Sequence, residues 1–426
     1  MKATALKQYL TDGRGDKALC RLYGEKAEAQ RARYLALLSD FLGEYGDLDV
    51  SFFSVPGRSE ISGNHTDHNR GKVLCGAIDL DIIAVAAKTE GDTIRVHSKG
   101  YKEDVIPLSE TDAPNEQYRF KSRSLIAGVC AGLKKNGHRI VPFSACTAND
   151  VKTGSGLSSS AAFEVMIGNI ENHLANEGRI GAPEIAQISQ YAENVFFGKP
   201  CGLMDQTACA VGGFVAIDFE DPQDPVITPL AFDLTASGYS LCIVNTGGNH
   251  ADLNEDYASV PAEMKKIAAY YGRDALRGIT FDQLIADAPV LRRAAGDRAL
   301  LRAMHFAAEN ERVEKQTEAL KANDLSAFFA GVKASGDSSY KYLQNVYTVK
   351  NVAEQGLSLA LCVTERITKN WGGAFRVHGG GFAGTIQAFI PSEKTADYAA
   401  IMDHVFGAGA CSVLKVRPEG AIRVDL

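Results

Sequence analysis

Residues 151–162 read Val-Lys-Thr-Gly-Ser-Gly-Leu-Ser-Ser-Ser-Ala-Ala. A Gly-x-Gly turn runs into three serines and then into helical spacing. Ala162, Met166, Ile170 and Leu174 recur every four residues, which puts them on one helical face. A glycine turn feeding a helix start exposes unpaired backbone N–H groups at the positive end of the helix dipole, and phosphate suits that spot. The hydroxyls add donors and one ligand of the kind Mg²⁺ takes. A plain serine-capped helix fits the same run. The P-loop pattern does not, because no Gly-Lys-Ser/Thr follows the spacer.

Three further segments carry chemistry. Pro56 to Asn69 contains Asn64, His65, Thr66 and Asp67 in one turn, a set of donors and acceptors able to read several sugar hydroxyls. An ordinary polar loop has the same composition. Ala192 to Gln206 contains Glu193, a carboxylate able to hold Mg²⁺. It also contains Asp205, in a loop after Gly202, where it would approach a substrate or serve as a helix N-cap. His378 to Gly384 has Gly379, Gly380, Gly381 and Gly384, which implies close backbone approach or a tight turn.

The elements that position these loops alternate between strand and helix. Residues 1–48 read as helical, with a stripe of Tyr34, Leu35, Leu37, Leu38, Phe41 and Leu42. Strands follow at Val50–Val55 and Ile78–Ala87, and the turn Glu90-Gly91-Asp92 before Ile94–Val96 predicts a hairpin. Helices are expected over 120–135, 158–176 and 184–197. After a domain boundary near 235 come the strand Tyr239–Asn245, helices over 258–271, 298–321, 324–335 and 351–366, and strands near 375–377, 384–390 and 412–416. The expectation is an α+β protein of two domains, 1–235 and 236–426.

Bulk properties bound the function. A net charge of −7 over 426 residues argues against a nucleic-acid footprint. Nine cysteines, scattered singly and odd in number, read as reduced thiols of a cytoplasmic protein with no zinc framework. No apolar segment reaches the length of a membrane span. The N-terminus has no apolar core of a secretion signal.

The four segments, in this order, resemble the GHMP small-molecule kinases and, within them, the galactokinase family. Pro-Gly-Arg with His-Thr-Asp, Gly-Leu-Ser-Ser-Ser-Ala-Ala, Pro-Cys-Gly-x-Met-Asp-Gln and Gly-Gly-Gly-Phe-x-Gly span residues 50–390. The resemblance implies an N-terminal domain like ribosomal protein S5 domain 2, a ferredoxin-like C-terminal domain and an active site in the cleft between them. It implies an ATP-dependent kinase that phosphorylates the anomeric hydroxyl of galactose. Asp205 would be the general base. Arg58 would keep Asp205 ionised and stabilise the transferred group. ATP would be held by Gly154, Ser155, Gly156, Leu157, Ser158, Ser159 and Ser160, with Ser98 near the nucleotide. Ser160 and Glu193 would bind Mg²⁺. Asn64, His65, Thr66, Asp67, Gly202 and Tyr257 would contact the sugar.

The chain also departs from the family pattern. Asn64 stands where galactokinases carry a Glu that accepts a hydrogen bond from the sugar's 6-hydroxyl. His68 replaces a Tyr, Lys152-Thr153 stands in place of Pro, and Ala383 replaces a Gly. A neutral residue at 64 opens the way to galacturonate, arabinose or N-acetylgalactosamine as substrate. A non-catalytic galactose and ATP sensor is a different class of reading. The sensor of that kind lacks the Ser-Ala that Ser160-Ala161 supplies here. Mevalonate or homoserine as substrate would leave the His-Thr-Asp segment without hydroxyls to read.

Overall fold

The computed structural model describes residues 1–151, 156–248 and 253–426. Gly154 and Ser155 of the serine loop therefore lie outside the described residues. Two sheets organise the chain. The first is eight-stranded: β1 (Ser51–Ser62), β2 (Lys72–Lys88), β3 (Thr93–Ser98), β4 (Asp104–Pro107), β5 (Phe143–Asn149), β6 (Phe214–Asp218), β7 (Val226–Leu230) and, in the same sheet, the last strand of the chain (Ile422–Val424). The second contains β8 (Tyr239–Asn245), β9 (Ala374–His378), β10 (Thr385–Pro391) and β11 (Cys411–Leu414), so the strand at Ile422–Val424 is β12.

The first sheet runs β12-β1-β2-β5-β3-β4, with β6 and β7 continuing from one end of β2. The expected hairpin between the second and third strands does not form. β5 inserts between them, pairing antiparallel to β2 over Ile82–Lys88 and parallel to β3. β3 makes its hairpin with β4 instead. The turn at 90–92 reverses the chain, but the choice of neighbour belongs to the strand whose apolar face matches.

Both faces of this sheet are covered, which explains why residues 82–87 read as a continuous apolar run rather than an alternating one. Successive side chains still go to opposite faces. Ile82, Ala84 and Ala86 join the main core with helices Ser122–Lys135, Ser159–Ala175, Ala182–Tyr191 and Met204–Val211. Ile83, Val85 and Ala87 join a separate core with the N-terminal helices Ala3–Thr11, Asp16–Tyr23 and Ala27–Tyr45. The expected stripe of that third helix is buried at Tyr34, Leu37, Leu38 and Phe41.

A buried carboxylate fastens the extension. Asp81 is 1% exposed. It accepts from Arg33 Nη1 at 2.6 Å, from the Tyr23 hydroxyl at 2.6 Å, from Arg417 Nη1 at 3.2 Å and from the Ser54 hydroxyl. Burial works to raise its pKa, but Arg33 and Arg417 outweigh it and hold the carboxyl below its ordinary value.

One face of the second sheet packs against helices Gly356–Trp371 and Thr395–Phe406. Its other face, through Leu241, Ile243 and Phe389, continues into the main core. Helices Asn254–Tyr270 and Asp297–Lys321 form a third cluster beside it. The expected boundary near 235 falls between β7 and β8, but β12 returns to pair with β1, so residues 236–426 are not one uninterrupted unit. The architecture is α+β, as expected. Among the described residues no helix is long and apolar enough to cross a membrane, and all nine cysteines are unpaired.

Candidate active site

The four segments converge around the C-terminal half of β1. Arg58 lies on that strand between two register shifts, at Pro56/Arg58 and Glu60/Ser62. Bulges of this kind re-aim a strand's side chains. Gly57 allows the strand to touch the serine loop, because a Cβ there would sit 2.8 Å from the Leu157 carbonyl and 2.9 Å from a Val151 methyl. The contact is completed by Arg58 N, which donates to that same carbonyl at 3.1 Å.

Arg58 meets Asp205 in a two-pronged ion pair. Nε donates to Oδ1 at 2.7 Å and Nη2 to Oδ2 at 2.6 Å. Fork-to-fork pairing of this kind is the strong arginine–carboxylate geometry. Arg58 Nη1 donates to the Gly156 carbonyl and the Ser158 hydroxyl donates to Asp205. Asp205 does not sit in a loop as expected. It is the second residue of the helix Met204–Val211, where the dipole also favours negative charge. Burial alone would raise its pKa, but the charge and hydrogen bonds of Arg58 hold it below the ordinary carboxylate value. Burial likewise opposes the Arg58 charge, and Asp205 more than restores it.

The serine loop enters the helix Ser159–Ala175 through Ser158, whose φ is +58° and whose side chain makes no cap. Its hydroxyl is committed to Asp205 instead. The N-cap side chain therefore leaves the first turn of that helix uncapped. Leu157 is buried and Ser158, Ser159 and Ser160 are half-buried. Ser98 ends β3 and accepts from the Thr147 hydroxyl at 2.9 Å. It therefore neighbours the strand that leads into the loop.

Next to Ser160 lies a buried acidic pair that sequence reading half missed. Glu193, in the π-helical turn Ala192–Phe197, is 3% exposed. It accepts from Gln206 Nε2 at 2.9 Å and from Lys199 Nζ at 3.3 Å. The same Gln206 nitrogen donates to Glu164 at 3.0 Å. Glu164 Oε1 is buried with no partner among the described residues. Burial first, then the neighbouring Glu193, pushes the Glu164 pKa up. A signal existed, since Glu164 stands one helical turn after Ser160.

The residues of the 64–67 loop divide into two groups. Thr66 and Asn64 are sealed and hold the loop. The Thr66 hydroxyl bonds the Gly63 carbonyl at 2.8 Å and the Lys72 carbonyl at 2.7 Å. The Asn64 amide donates to Glu60 Oε1 at 2.9 Å and to the Gly379 carbonyl at 2.8 Å, while its oxygen accepts from Asn345 at 2.7 Å and Ser339 at 3.3 Å. This departs from the expectation that Asn64 faces a sugar, since four protein bonds already use its polar atoms. Asp67 is the opposite case. Among the described residues its carboxylate has no hydrogen-bond partner, and a Cβ on Gly202 would meet its Oδ2 at 2.5 Å. A larger residue at 202 would push that carboxylate away from its place beside the Asp205 segment.

The C-terminal glycine loop makes its close approach to these same residues. His65 Nε2 pairs with the Gly380 carbonyl at 2.9 Å and the Tyr257 hydroxyl donates to the Gly381 carbonyl at 2.8 Å. A carbonyl can only accept, so His65 carries its proton on Nε2. Burial, opposed by the bond to Gly380, lowers its pKa to about 4 and keeps it neutral. From the other side, Glu309 accepts from Ser62 Oγ and Gly63 N, each at 3.0 Å, and His305 Nε2 pairs with the Asn64 carbonyl at 3.0 Å. Burial would raise the Glu309 pKa, but His305, Arg312 and Arg376 take it down to about 2. His305 and Glu309 escaped the sequence reading. Their i, i+4 spacing is visible, but nothing local says that this charged face of Asp297–Lys321 is the buried one.

Comparison with known proteins shows the family of the chain. Residues 39–88 match the galactokinase galactose-binding signature, and residues 124–213 match the GHMP kinase N-terminal domain. The galactokinase of Streptomyces coelicolor is 31% identical over 375 residues, covering 87% of this chain and 92% of that protein. The galactokinase of Actinobacillus pleuropneumoniae serotype 5b is 34% identical over 362 residues, covering 83% and 88%. The chain belongs to the galactokinase family. In fold it resembles the Lactococcus lactis galactokinase solved with galactose, with a TM-score of 0.75 at 22% identity, covering 90% of this chain and 98% of that one. The Methanococcus jannaschii mevalonate kinase shares the fold more distantly, with a TM-score of 0.61 at 14% identity. This galactokinase-family chain therefore has the two-domain GHMP kinase architecture that its motifs imply.

Proposed function

We propose that this chain transfers the γ-phosphoryl group of ATP to the anomeric hydroxyl of D-galactose, giving galactose 1-phosphate and ADP. The observation that carries this reading is the two-pronged Arg58–Asp205 pair at the mouth of the serine loop. Phosphoryl transfer requires positioning and charge neutralisation more than covalent chemistry. Asp205 is held ionised and takes the proton of the attacking hydroxyl as its oxygen bonds to phosphorus. Arg58 cannot be that base, because guanidinium does not deprotonate in this range. Its charge instead steadies the transferred group. Asp67, His65, Gly202 and Tyr257 rim the place where the sugar binds.

The phosphates suit the start of Ser159–Ala175, where the helix dipole is positive and the Ser158 side chain makes no cap. Mg²⁺ suits a set of hard oxygen donors. Ser160 and Glu193 would hold it, and the unpartnered Glu164 oxygen beside them supports the fit. The ion would neutralise phosphate charge. ATP as donor and nine free thiols fit a cytoplasmic enzyme.

Galacturonate loses its rationale here. Asn64 is committed to protein groups, while Asp205 and Glu60 set carboxylates about Arg58 that oppose an acidic sugar. The test is a panel of D-galactose, galacturonate, arabinose and N-acetylgalactosamine with Mg-ATP, read as ADP release and as phosphate at C1 by NMR. Galactose should give the highest kcat/KM. Galactose as the poorest of the four, or ADP release with none of them, would sink the reading.

A further inference from the structure

Glu60 stands two residues from Arg58 on β1. No register shift separates the two, since Arg58, Ser59 and Glu60 pair in order with Ala77, Gly76 and Cys75. Both side chains therefore leave the same face of the strand. Glu60 feels the charges of Arg376, Arg58 and Asp67, which places its carboxylate among the groups of the sugar site. One oxygen is fully engaged. Oε1 accepts from Asn64 Nδ2 at 2.9 Å and from both terminal nitrogens of the buried Arg376 at 3.3 Å. The other oxygen, Oε2, accepts nothing among the described residues, and it is not among the buried, unpartnered polar atoms. Glu60 as a residue keeps 7% exposure.

Asn64 is the reverse. Both protons of its amide and both acceptor positions of its oxygen are taken by protein groups. We infer that Glu60 is a sugar-binding residue, its free oxygen accepting a hydrogen bond from one hydroxyl of the substrate, and that Asn64 and Arg376 are the clamp that aims it. The inference rests on the proposed sugar-kinase reading. It specifies that reading further: the ligand is a neutral polyol with a hydroxyl donor at this position.

Glu60→Gln is a pointed test, because the clamp dictates how the new amide sits. Asn64 and Arg376 present only donors, so the glutamine oxygen must face them. Its NH₂ then faces the cleft, where an acceptor stood. The experiment measures kcat and KM for galactose and for its 2-, 3-, 4- and 6-deoxy forms in wild type and variant, with sugar binding followed by titration calorimetry. The expected result is a roughly ten- to hundred-fold rise in the galactose KM, the size of one lost hydrogen bond to a charged group, with kcat and the ATP KM little changed. One deoxy sugar, the one lacking the partner hydroxyl, should lose almost nothing further in the variant. Equal losses on galactose and all four deoxy sugars would overturn the inference, as would no loss on any. If Glu60→Gln does not fold, as judged by its melt, Glu60→Asp should show the same selective pattern in weaker form, and a uniform loss there overturns the inference too. A wild type that binds the sugars but transfers no phosphate would defeat the kinase reading alone, since the calorimetric comparison still reports on Glu60.

Discussion

Two aspartates of the N-terminal sheet region bind arginine, one buried and one half-buried, and a reaction is proposed only for the second. Asp81 sits under the N-terminal helices at 1% exposure, with every direction taken by Arg33, Arg417, Tyr23 and Ser54. Asp205 meets Arg58 just as closely, yet its side chain is 29% exposed and opens onto the serine loop. Both pKa values are held down by the partner arginines against burial. Charge pairing and a shifted pKa therefore do not separate structure from chemistry here. Spare hydrogen-bonding capacity beside open space does. Asn64 and Glu60 repeat the contrast, one saturated and one with an oxygen free.

The largest effect should come from breaking the open pair. Asp205→Asn keeps shape but removes the base, so kcat should fall by roughly 10²- to 10⁴-fold. ATP affinity should stay near wild type, and the stability loss should be smaller than that from the closed pair, because the Asp205 side chain is 29% exposed. A variant with near-normal turnover would remove Asp205 as base.

Breaking the closed pair should do the opposite. Asp81→Asn leaves two arginines facing a neutral group, and removal of one partner of a buried ion pair costs about 3–5 kcal/mol. Denaturant unfolding should show that loss, while kcat/KM per folded molecule is unchanged. A kinetic defect without a stability defect would erase the distinction between the two aspartates.

The smallest effect is a slope in pH. His65 is lowered from 6.5 to about 4 and His378 from 6.5 to about 3, both first by burial. Each is neutral when folded, so as pH falls below 6.5 the unfolded chain takes up the proton first. The stability held by their neutral forms is present above that pH and drains away down to about 4 and about 3. The slope is at most about 1.4 kcal/mol per pH unit for each ring. Glu309, lowered from 4.5 to about 2, adds to the loss below pH 4.5 in the same direction, because the unfolded carboxyl protonates first. Urea melts from pH 7.5 to 4 in the wild type and His65→Gln should differ in slope only below 6.5. Parallel curves would mean that His65 is not buried neutral.

Much of the site was legible before any coordinates. Arg58, Asp205, Ser160 and Glu193 lie in runs of unusual composition, and runs of that kind are local facts. The residues missed, Glu60, Glu164, His305 and Glu309, share a different property. Each is a charged or titratable group in an ordinary strand or helix, where sequence alone expects solvent. Their place at the site comes from which face the packing turned inward. The mistaken hairpin has the same origin, since a turn signal reports that the chain reverses and not which strand lies beside it.

The chain's own order of residues determined the chemistry on offer: a glycine–serine turn into a helix, a carboxylate after a glycine segment, an arginine on a strand, and two apolar faces needing cover. Hydrogen-bond saturation was decided only in three dimensions. Asn64 is sealed because Asn345 and the 379–381 turn, about 300 residues away, arrive at the same point. Whether a polar atom is spent on protein or left for substrate depends on what else reaches it, and that is a property of the packed molecule.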